Sequence, residues 1–151
     1  MKPLVRIILG SKSDNHIGEG IKEYLTKLDV PYDYFVSSAH RNPAQTVKLA
    51  SEAESLGIKA IIAVAGMSAH LPGVIAAHTI LPVIGVPVKG NIMNGEDALY
   101  SIVQMPTGVP VACVAINGGK NAAILSCQII ATSNPHYLKI LHDFKNELAN
   151  S

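Results

Sequence analysis

An apolar run of strand length, Ile58-Lys59-Ala60-Ile61-Ile62-Ala63-Val64, leads into the loop Gly66-Met67-Ser68-Ala69-His70. Residues Leu71–Thr79 can then form a short helix, because a proline such as Pro72 is tolerated in a first turn. A strand that is apolar along nearly its whole length is covered on both faces, which is typical of a parallel sheet. This segment therefore predicts a buried parallel strand followed by a helix.

The same alternation of strand and helix repeats about five times along the chain. It predicts a three-layer α/β fold, in which a parallel sheet carries helices on both faces. The loops that follow the strands then share one edge of the sheet, where ligands bind in such folds. Expected strands are Leu4–Leu9, Pro31–Ser37, Ile58–Val64, Pro82–Val88 and Val109–Ile116; expected helices are Asp14–Leu28 with Asp14 as N-cap, Pro43–Leu56, Leu71–Thr79, Gly95–Val103, Ala122–Ala131 and Tyr137–Leu148.

Length and composition predict one ordered domain over residues 1–151. The chain is 48% hydrophobic and only 15% charged, whereas disordered chains combine low hydrophobicity with high net charge. So low a charged fraction also indicates that part of the surface is covered in a homo-oligomer. The C-terminal helix, about residues 135–149, is able to pack on a neighbouring subunit.

Charge and motifs exclude several classes of partner. The formal net charge is +1 and there is no run of Lys or Arg, which argues against nucleic-acid binding. No apolar stretch approaches the ~18 residues of a membrane span, and we expect a cytoplasmic protein without a signal peptide. Cys113 and Cys127 fit no metal motif, and no metal or other cofactor is expected.

Three strand-to-helix loops hold most of the chemically active side chains: Gly10–Asp14, Ser38–Pro43 and Gly66–Gly73. The first opens a helix, where free N–H groups and the helix dipole favour an anion. In the second, His40 can move a proton near neutral pH, and Arg41 can bind a phosphate or carboxylate. Residue types alone also leave open plain helix caps, unrelated polar side chains, or a Ser-His-Asp triad, for which there is no Gly-x-Ser-x-Gly motif.

Five motifs in the same order resemble the bacterial 5-carboxyaminoimidazole ribonucleotide mutases (class I of the phosphoribosylaminoimidazole carboxylase catalytic subunits), over nearly the whole chain. The resemblance implies a flavodoxin-like, Rossmann-like subunit of a cytoplasmic homo-octamer in purine biosynthesis. It implies no metal or organic cofactor. The motifs are Gly10-Ser11-Lys12-Ser13-Asp14, Ser38-Ala39-His40-Arg41-Asn42-Pro43, Ala69-His70-Leu71-Pro72-Gly73, Leu81–Val88 and Ser101–Pro106.

The resemblance also implies a reaction and a site. The carboxylate moves from the exocyclic nitrogen of an aminoimidazole ribonucleotide to ring carbon 4. His40 matches the general acid/base, and His70 matches a second active-site histidine. The other positions implied to bind the ribonucleotide are Ser11, Ser13, Asp14, Ser38, Arg41, Gly66, Ser68 and Ala69; the chain differs from the family at Met67-Ser68, where glycine or alanine is expected.

Two alternatives stand beside the mutase. One is the related carboxylase branch, which uses carbon dioxide directly and tends to lack the His-Leu-Pro-Gly feature found at His70–Gly73. The other is a non-catalytic phosphate- or nucleotide-binding module, because a fold alone does not determine function. The imidazole of His40 beside Arg41 favours catalysis over simple binding.

Overall fold

The molecule is built on one five-stranded parallel sheet, seen in a computed structural model that describes all residues, Met1–Ser151. The strand order is β2-β1-β3-β4-β5, so the chain reverses its direction of winding between β1 and β3. That reversal places a crevice at the carboxyl ends of the strands, where ligands bind in such folds. The strands are β1 (Val5–Leu9), β2 (Tyr32–Val36), β3 (Ala60–Gly66), β4 (Val83–Val88) and β5 (Ala112–Cys113).

Six helices cover both faces of the sheet, which confirms the predicted three-layer α/β fold. Side chains alternate along each strand, so neighbouring residues enter different cores. Ile7 of β1 packs with α1, α5 and α6, whereas its neighbour Ile8 packs with α2, α3 and α4. The helices are α1 (Asn15–Lys27), α2 (Pro43–Ser51), α3 (Leu71–Ala77), α4 (Glu96–Val103), α5 (Gly119–Ala131) and α6 (Pro135–Ala149), and none is long and apolar enough to cross a membrane.

Some predicted boundaries are wrong. The strand expected over Val109–Ile116 contains only Ala112 and Cys113, because this edge strand contacts β4 through a two-residue register. The helix expected to reach Leu56 ends at Ser51 and continues as turns up to Gly57, whose φ of 93° closes them.

The start of α1 also differs from expectation. Asp14 occupies the N-cap position but makes no side-chain capping hydrogen bond. A short 3₁₀ turn, Lys12–Asp14, precedes the helix, and the Ser11 hydroxyl caps that turn by accepting from the Ser13 N–H (3.3 Å). The Asp14 side chain is thereby left for the crevice. At α5 the helix begins three residues earlier than predicted, at Gly119, which packs against Ile17.

A buried ionic cluster, here called the Arg6 cluster (Arg6, Asp33 and Glu52), fastens α2 to the sheet. The Arg6 side chain is 3% exposed, yet its guanidinium donates to both carboxylates at 2.7–3.1 Å. It also donates to the Leu49 carbonyl oxygen of α2 at 2.9 Å. Since every partner is present, the burial of this charge is compensated.

Candidate active site

A cavity of about 460 Å³, here called the first cavity, opens at the carboxyl edge of β1, β2 and β3. The three loops singled out in the sequence converge there, as the parallel topology predicts. Ten of its lining residues come from two segments, residues 38–41 and 65–71. It is lined by Gly10, Asp14, Ser38, Ala39, His40, Arg41, Ala65, Gly66, Met67, Ser68, His70 and Leu71.

The two predicted histidines contact each other within this cavity. His40 Nε2 lies 2.7 Å from His70 Nδ1, and the two rings meet edge to face with their centroids 4.8 Å apart. One nitrogen of the pair must donate the proton that the other accepts, so the tautomers of the two rings are linked. Both rings remain exposed to the cavity. A ligand therefore meets two imidazoles that already share a proton.

The position of His40 is fixed by the turn that carries it. The Arg41 N–H donates to the Ser38 hydroxyl at 3.1 Å, which closes the loop around His40. Asn42 then caps α2, its side-chain oxygen accepting from the Gln45 N–H, and Pro43 takes the first helical position as predicted. The Arg41 guanidinium donates to the Gly10 carbonyl oxygen (3.3 Å) and faces no carboxylate, so it is available to an anion.

Asp14 is the buried carboxylate of the site. It is 7% exposed. Burial raises the pKa of its carboxyl, and the neighbouring charge of His16 and the backbone of Ser11 oppose that rise. A carboxylate with few partners accepts hydrogen bonds from hydroxyl groups and repels a phosphate. Asp14 is therefore suited to ribose hydroxyls.

The remaining predicted residues fall on both sides of the cavity wall. Gly66 and Ser68 line the first cavity, whereas Ala69 is 1% exposed and packs in the core beneath it. Ser11 lines neither this cavity nor its neighbour, and its Oγ accepts a hydrogen bond from the Ser13 hydroxyl at 2.9 Å. Ser13 opens instead on a neighbouring cavity.

Met67 stands at the position where the resemblance leads us to expect glycine or alanine, and its backbone shows why. Its φ of 55° lies in the left-handed region that favours glycine. The Met67 side chain is 66% exposed and lines both the first cavity and its neighbour. The residue therefore forms part of the divide between the two spaces.

A second cavity of about 600 Å³ adjoins the first and shares Asp14, Gly66 and Met67 with it. Its far side is formed by the β4–α4 segment, with Lys89, Gly90 and Asp97. This side is not among the three loops predicted from the sequence, because Lys89-Gly90-Asn91 after the expected strand Pro82–Val88 has the composition of an ordinary turn. The signal was available, since the carboxyl end of β4 lies at the same edge as the other loops.

His78 and the two cysteines lie away from both cavities. His78 follows α3 and is exposed on another part of the surface. Cys127 is fully buried, and burial raises the pKa of its thiol to about 11; Cys113 is only partly buried. No group of three or more His, Cys, Asp or Glu side chains is placed to hold a metal ion.

Fold and site together define a class of protein. The chain is a parallel α/β protein whose crevice presents a hydrogen-bonded histidine pair, a guanidinium that faces no carboxylate, and a carboxylate suited to hydroxyls. These are groups that recognise and transform a small sugar phosphate or related anion.

Comparison with known proteins gives the family. The model of the family described as "AIRC: AIR carboxylase" matches residues 4–151. The chain belongs to this family. The crystal structure of Treponema denticola PurE is 30% identical and superposes with a TM-score of 0.90, covering 98% of this chain and 92% of that one. The flavodoxin-like topology implied by the resemblance is thereby confirmed.

Curated relatives have two kinds of name. The N5-carboxyaminoimidazole ribonucleotide mutase of Pyrococcus horikoshii is 48% identical over 97% of this chain and 83% of the relative. The phosphoribosylaminoimidazole carboxylase of Candida glabrata is 51% identical over 97% of this chain. The chain spans only 26% of the length of that fungal protein.

Proposed function

We propose that the protein is an N5-carboxyaminoimidazole ribonucleotide mutase, an isomerase of purine biosynthesis. The observation that carries this proposal is the hydrogen-bonded pair His40–His70 inside a cavity that also presents Arg41 and Asp14. Mutase relatives that match nearly end to end support it. The substrate is a ribonucleotide with a carboxylate on its exocyclic nitrogen.

The chemistry needs one proton to be given and one to be taken. Protonation of the exocyclic nitrogen breaks its bond to the carboxylate carbon and releases carbon dioxide. Ring carbon 4 is enamine-like and attacks that carbon dioxide, forming the new carbon–carbon bond. The proton on carbon 4 then leaves and restores the aromatic ring. A single histidine that donates first and accepts later therefore suffices.

His40 is assigned to that proton transfer. Its ring lies on the turn beside Arg41, and its hydrogen bond to His70 holds the ring within the cavity. His70 precedes α3 directly, where the dipole of even a short helix disfavours a positive charge. We therefore assign His70 to orienting His40 and contacting the substrate, and not to carrying the proton.

Retention of carbon dioxide is the second requirement. Holding the gas beside carbon 4 replaces a second-order encounter with a local one. The wall between the loops supplies small groups, with Ala39, Ala65 and Gly66 among the lining residues. Such a wall offers carbon dioxide little to react with, and it excludes water once substrate fills the cavity.

The other predicted residues fit the rest of the substrate. Arg41 binds an anionic group and Asp14 the ribose hydroxyls. Ser38, Ser68 and Gly66 surround the imidazole in the first cavity, and Ser13 offers its hydroxyl to the phosphate. Ser11 holds Ser13 through the hydrogen bond between their hydroxyls, and the buried Ala69 shapes the loop before His70.

We further propose that the chain works as a single domain in a cytoplasmic homo-octamer. Large side chains that are exposed on the isolated chain support an assembly, among them Ile80 (82% exposed) and Leu138 on α6 (46%). Light scattering on the purified protein tests the assembly: an octamer of 16.0 kDa chains is expected, and a monomer at micromolar concentration contradicts it. Cell fractionation tests the location.

One experiment distinguishes the mutase from the carboxylase. The carboxylase is supported by the names of the fungal relatives. The purified protein is assayed with N5-carboxyaminoimidazole ribonucleotide alone, and separately with aminoimidazole ribonucleotide plus bicarbonate. Rapid conversion of the first substrate without added bicarbonate is expected. Turnover of only the second mixture identifies the carboxylase, and turnover of neither leaves the binding module.

A further inference from the structure

Two buried hydroxyl groups lie beneath the turn that carries His40. Ser37 is 3% exposed and Thr46 is fully buried, and their side-chain oxygens are 2.8 Å apart. Ser37 follows β2 directly, and Thr46 belongs to the first turn of α2. Because a buried hydroxyl costs free energy unless it is hydrogen-bonded, a pair of them in this position calls for an explanation.

The hydrogen bonds of the two hydroxyls form a chain that ends on the cap of α2. The Thr46 hydroxyl donates its only proton to the Asn42 carbonyl oxygen at 3.2 Å, so it accepts from the Ser37 hydroxyl. The Ser37 N–H donates to the Leu9 carbonyl oxygen of β1 at 2.8 Å. The chain of hydrogen bonds therefore connects the sheet to the residue at which α2 begins.

His40 lies at the middle of the turn that this chain spans, here called the His40 turn (Ser38–Asn42). The Asn42 N–H donates to the Ser38 carbonyl oxygen at 2.8 Å, which closes the turn on itself. The bond between Ser37 and Thr46 joins the residues on either side of the turn. Any shift of the backbone carries the imidazole with it, because the histidine side chain is short. Misplacing a catalytic group by about 1 Å can cost about 10²-fold in rate.

We propose that Ser37 and Thr46 are positioning residues for the proton transfer. This inference rests on the proposed function, since it takes His40 as the group that moves the proton. Neither hydroxyl lines a cavity. The bond between them holds the His40 turn so that the ring of His40 stays 2.7 Å from His70. The longer Arg41 side chain can reach its anion from a shifted backbone, so loss of the bond should affect kcat more than KM.

A double variant separates catalysis from folding. Removing one partner of a buried hydrogen bond leaves the other unsatisfied, whereas replacing both by apolar groups of similar shape is nearly neutral for stability. Ser37→Ala combined with Thr46→Val is such a replacement. The Asn42 carbonyl oxygen keeps a partner in it, because the Thr46 backbone N–H also donates there at 3.2 Å.

The test compares variants of the full chain with a matched buried hydroxyl elsewhere. Ser126 of α5 is fully buried and donates to the Ala123 carbonyl oxygen of its own helix at 2.8 Å, so Ser126→Ala is the control. Ser37→Ala, Thr46→Val, Thr46→Ser and the double variant are assayed for kcat, KM and melting temperature. The ¹³Cε1–H NMR signal of His40, assigned by its absence from His40→Asn, reports on the ring without turnover.

We expect Ser37→Ala, Thr46→Val and the double variant each to lower kcat about tenfold, with KM within about threefold of wild type. The double variant should melt closer to wild type than Thr46→Val does. Thr46→Ser should keep about half of the wild-type kcat or more, because it keeps the hydroxyl. The His40 signal should move or broaden in the three slow variants and stay unchanged in Ser126→Ala.

Several results overturn the proposal. They are a kcat within about twofold of wild type in folded Ser37→Ala and Thr46→Val, an unmoved His40 signal, and a Thr46→Ser variant as slow as Thr46→Val. A double variant whose kcat recovers together with its melting temperature also overturns it, since stability alone would then explain the loss. If Thr46→Val does not fold, Ser37→Ala decides. Failure of the proposed function looks different: the wild type then converts no N5-carboxyaminoimidazole ribonucleotide, while the His40 signal still moves in Ser37→Ala if the pair holds the ring.

Discussion

Two clusters of titratable side chains show opposite designs. In the Arg6 cluster a buried guanidinium finds two carboxylates and a backbone carbonyl within 3.1 Å, so its hydrogen bonds are spent inside the fold. In the first cavity His40 and His70 bond only to each other, and Arg41 reaches a single carbonyl at 3.3 Å. The completed cluster therefore supports the structure, whereas the side chains in the first cavity keep hydrogen-bonding groups that a ligand can use.

The largest effect is expected from His40→Asn. Asparagine keeps the size and polarity of the side chain but cannot move a proton near neutral pH, so turnover should fall roughly 10²- to 10⁴-fold. Substrate binding and melting temperature should change little. Steady-state kinetics checks this, with His78→Asn as the control because that ring lies outside both cavities.

His70→Asn sharpens the same comparison. If His70 only orients His40, its loss should cost less turnover than the loss of His40, and the pH profile of kcat should keep its shape. The roles are reversed if His70→Asn is the less active enzyme and His40→Asn is close to wild type.

Arg6→Ala tests the other side of the comparison. The change leaves Asp33 and Glu52 without their cation, and we expect the free energy of unfolding to fall by about 2–4 kcal/mol, reduced from the fully buried case because both carboxylates are partly exposed. Urea unfolding measures it, and Lys139→Ala serves as a control because its ion pair with Asp143 is exposed. Folded Arg6→Ala should still turn over; an inactive but fully folded variant would break the distinction between the clusters.

Arg41→Lys is expected to have a smaller effect. Lysine keeps the positive charge but loses the planar fork, so substrate binding should weaken by about 1–3 kcal/mol. Titration calorimetry with a non-turnover variant such as His40→Asn as background measures the change. Unchanged substrate affinity in Arg41→Ala would show that Arg41 does not bind the anionic group of the substrate.

The smallest effect is expected on stability, in the melting temperature of Asp14→Asn, and its size depends on pH. Burial raises the pKa of the Asp14 carboxyl above its unfolded value, so the folded chain bears a cost whenever this group is ionised. Asparagine removes that cost, and the melting temperature should rise at pH 7, with 1 kcal/mol corresponding to roughly 2–4 °C in a chain of this size. Below about pH 3.9 the Asp14 carboxyl is neutral in both the folded and the unfolded chain, so the difference in melting temperature between Asp14→Asn and wild type should vanish.

The sequence was sufficient for most of the fold because buried parallel strands are apolar along their length. Val109–Ile116 misled for a physical reason: Val111 and Cys113 pack against one core and Val114 against the other, although only two residues pair with β4. The apolar side chains of this segment indicate that it is buried, but they do not indicate how many residues pair with the neighbouring strand.

The site was predictable where it depended on topology. The loops after β1, β2 and β3 had to share an edge, and Asp14, Ser38, His40, Arg41 and His70 do line one cavity. The contact between His40 and His70 could not be predicted, because it depends on the side-chain torsions of two loops that are 30 residues apart in sequence. Lys89 was missed because a Lys-Gly-Asn sequence after a strand has the composition of an ordinary turn.

We propose that the carboxylate moves within one cavity through released carbon dioxide and a single histidine that donates and then accepts the proton. The most direct measurement follows a substrate with ¹³C in its carboxylate through a single turnover in unlabelled bicarbonate buffer. We expect the carbon 4 carboxylate of the product to keep most of the label, and His40→Asn to bind the substrate without forming product. A product whose carboxylate carries the isotope ratio of the bicarbonate pool would contradict it.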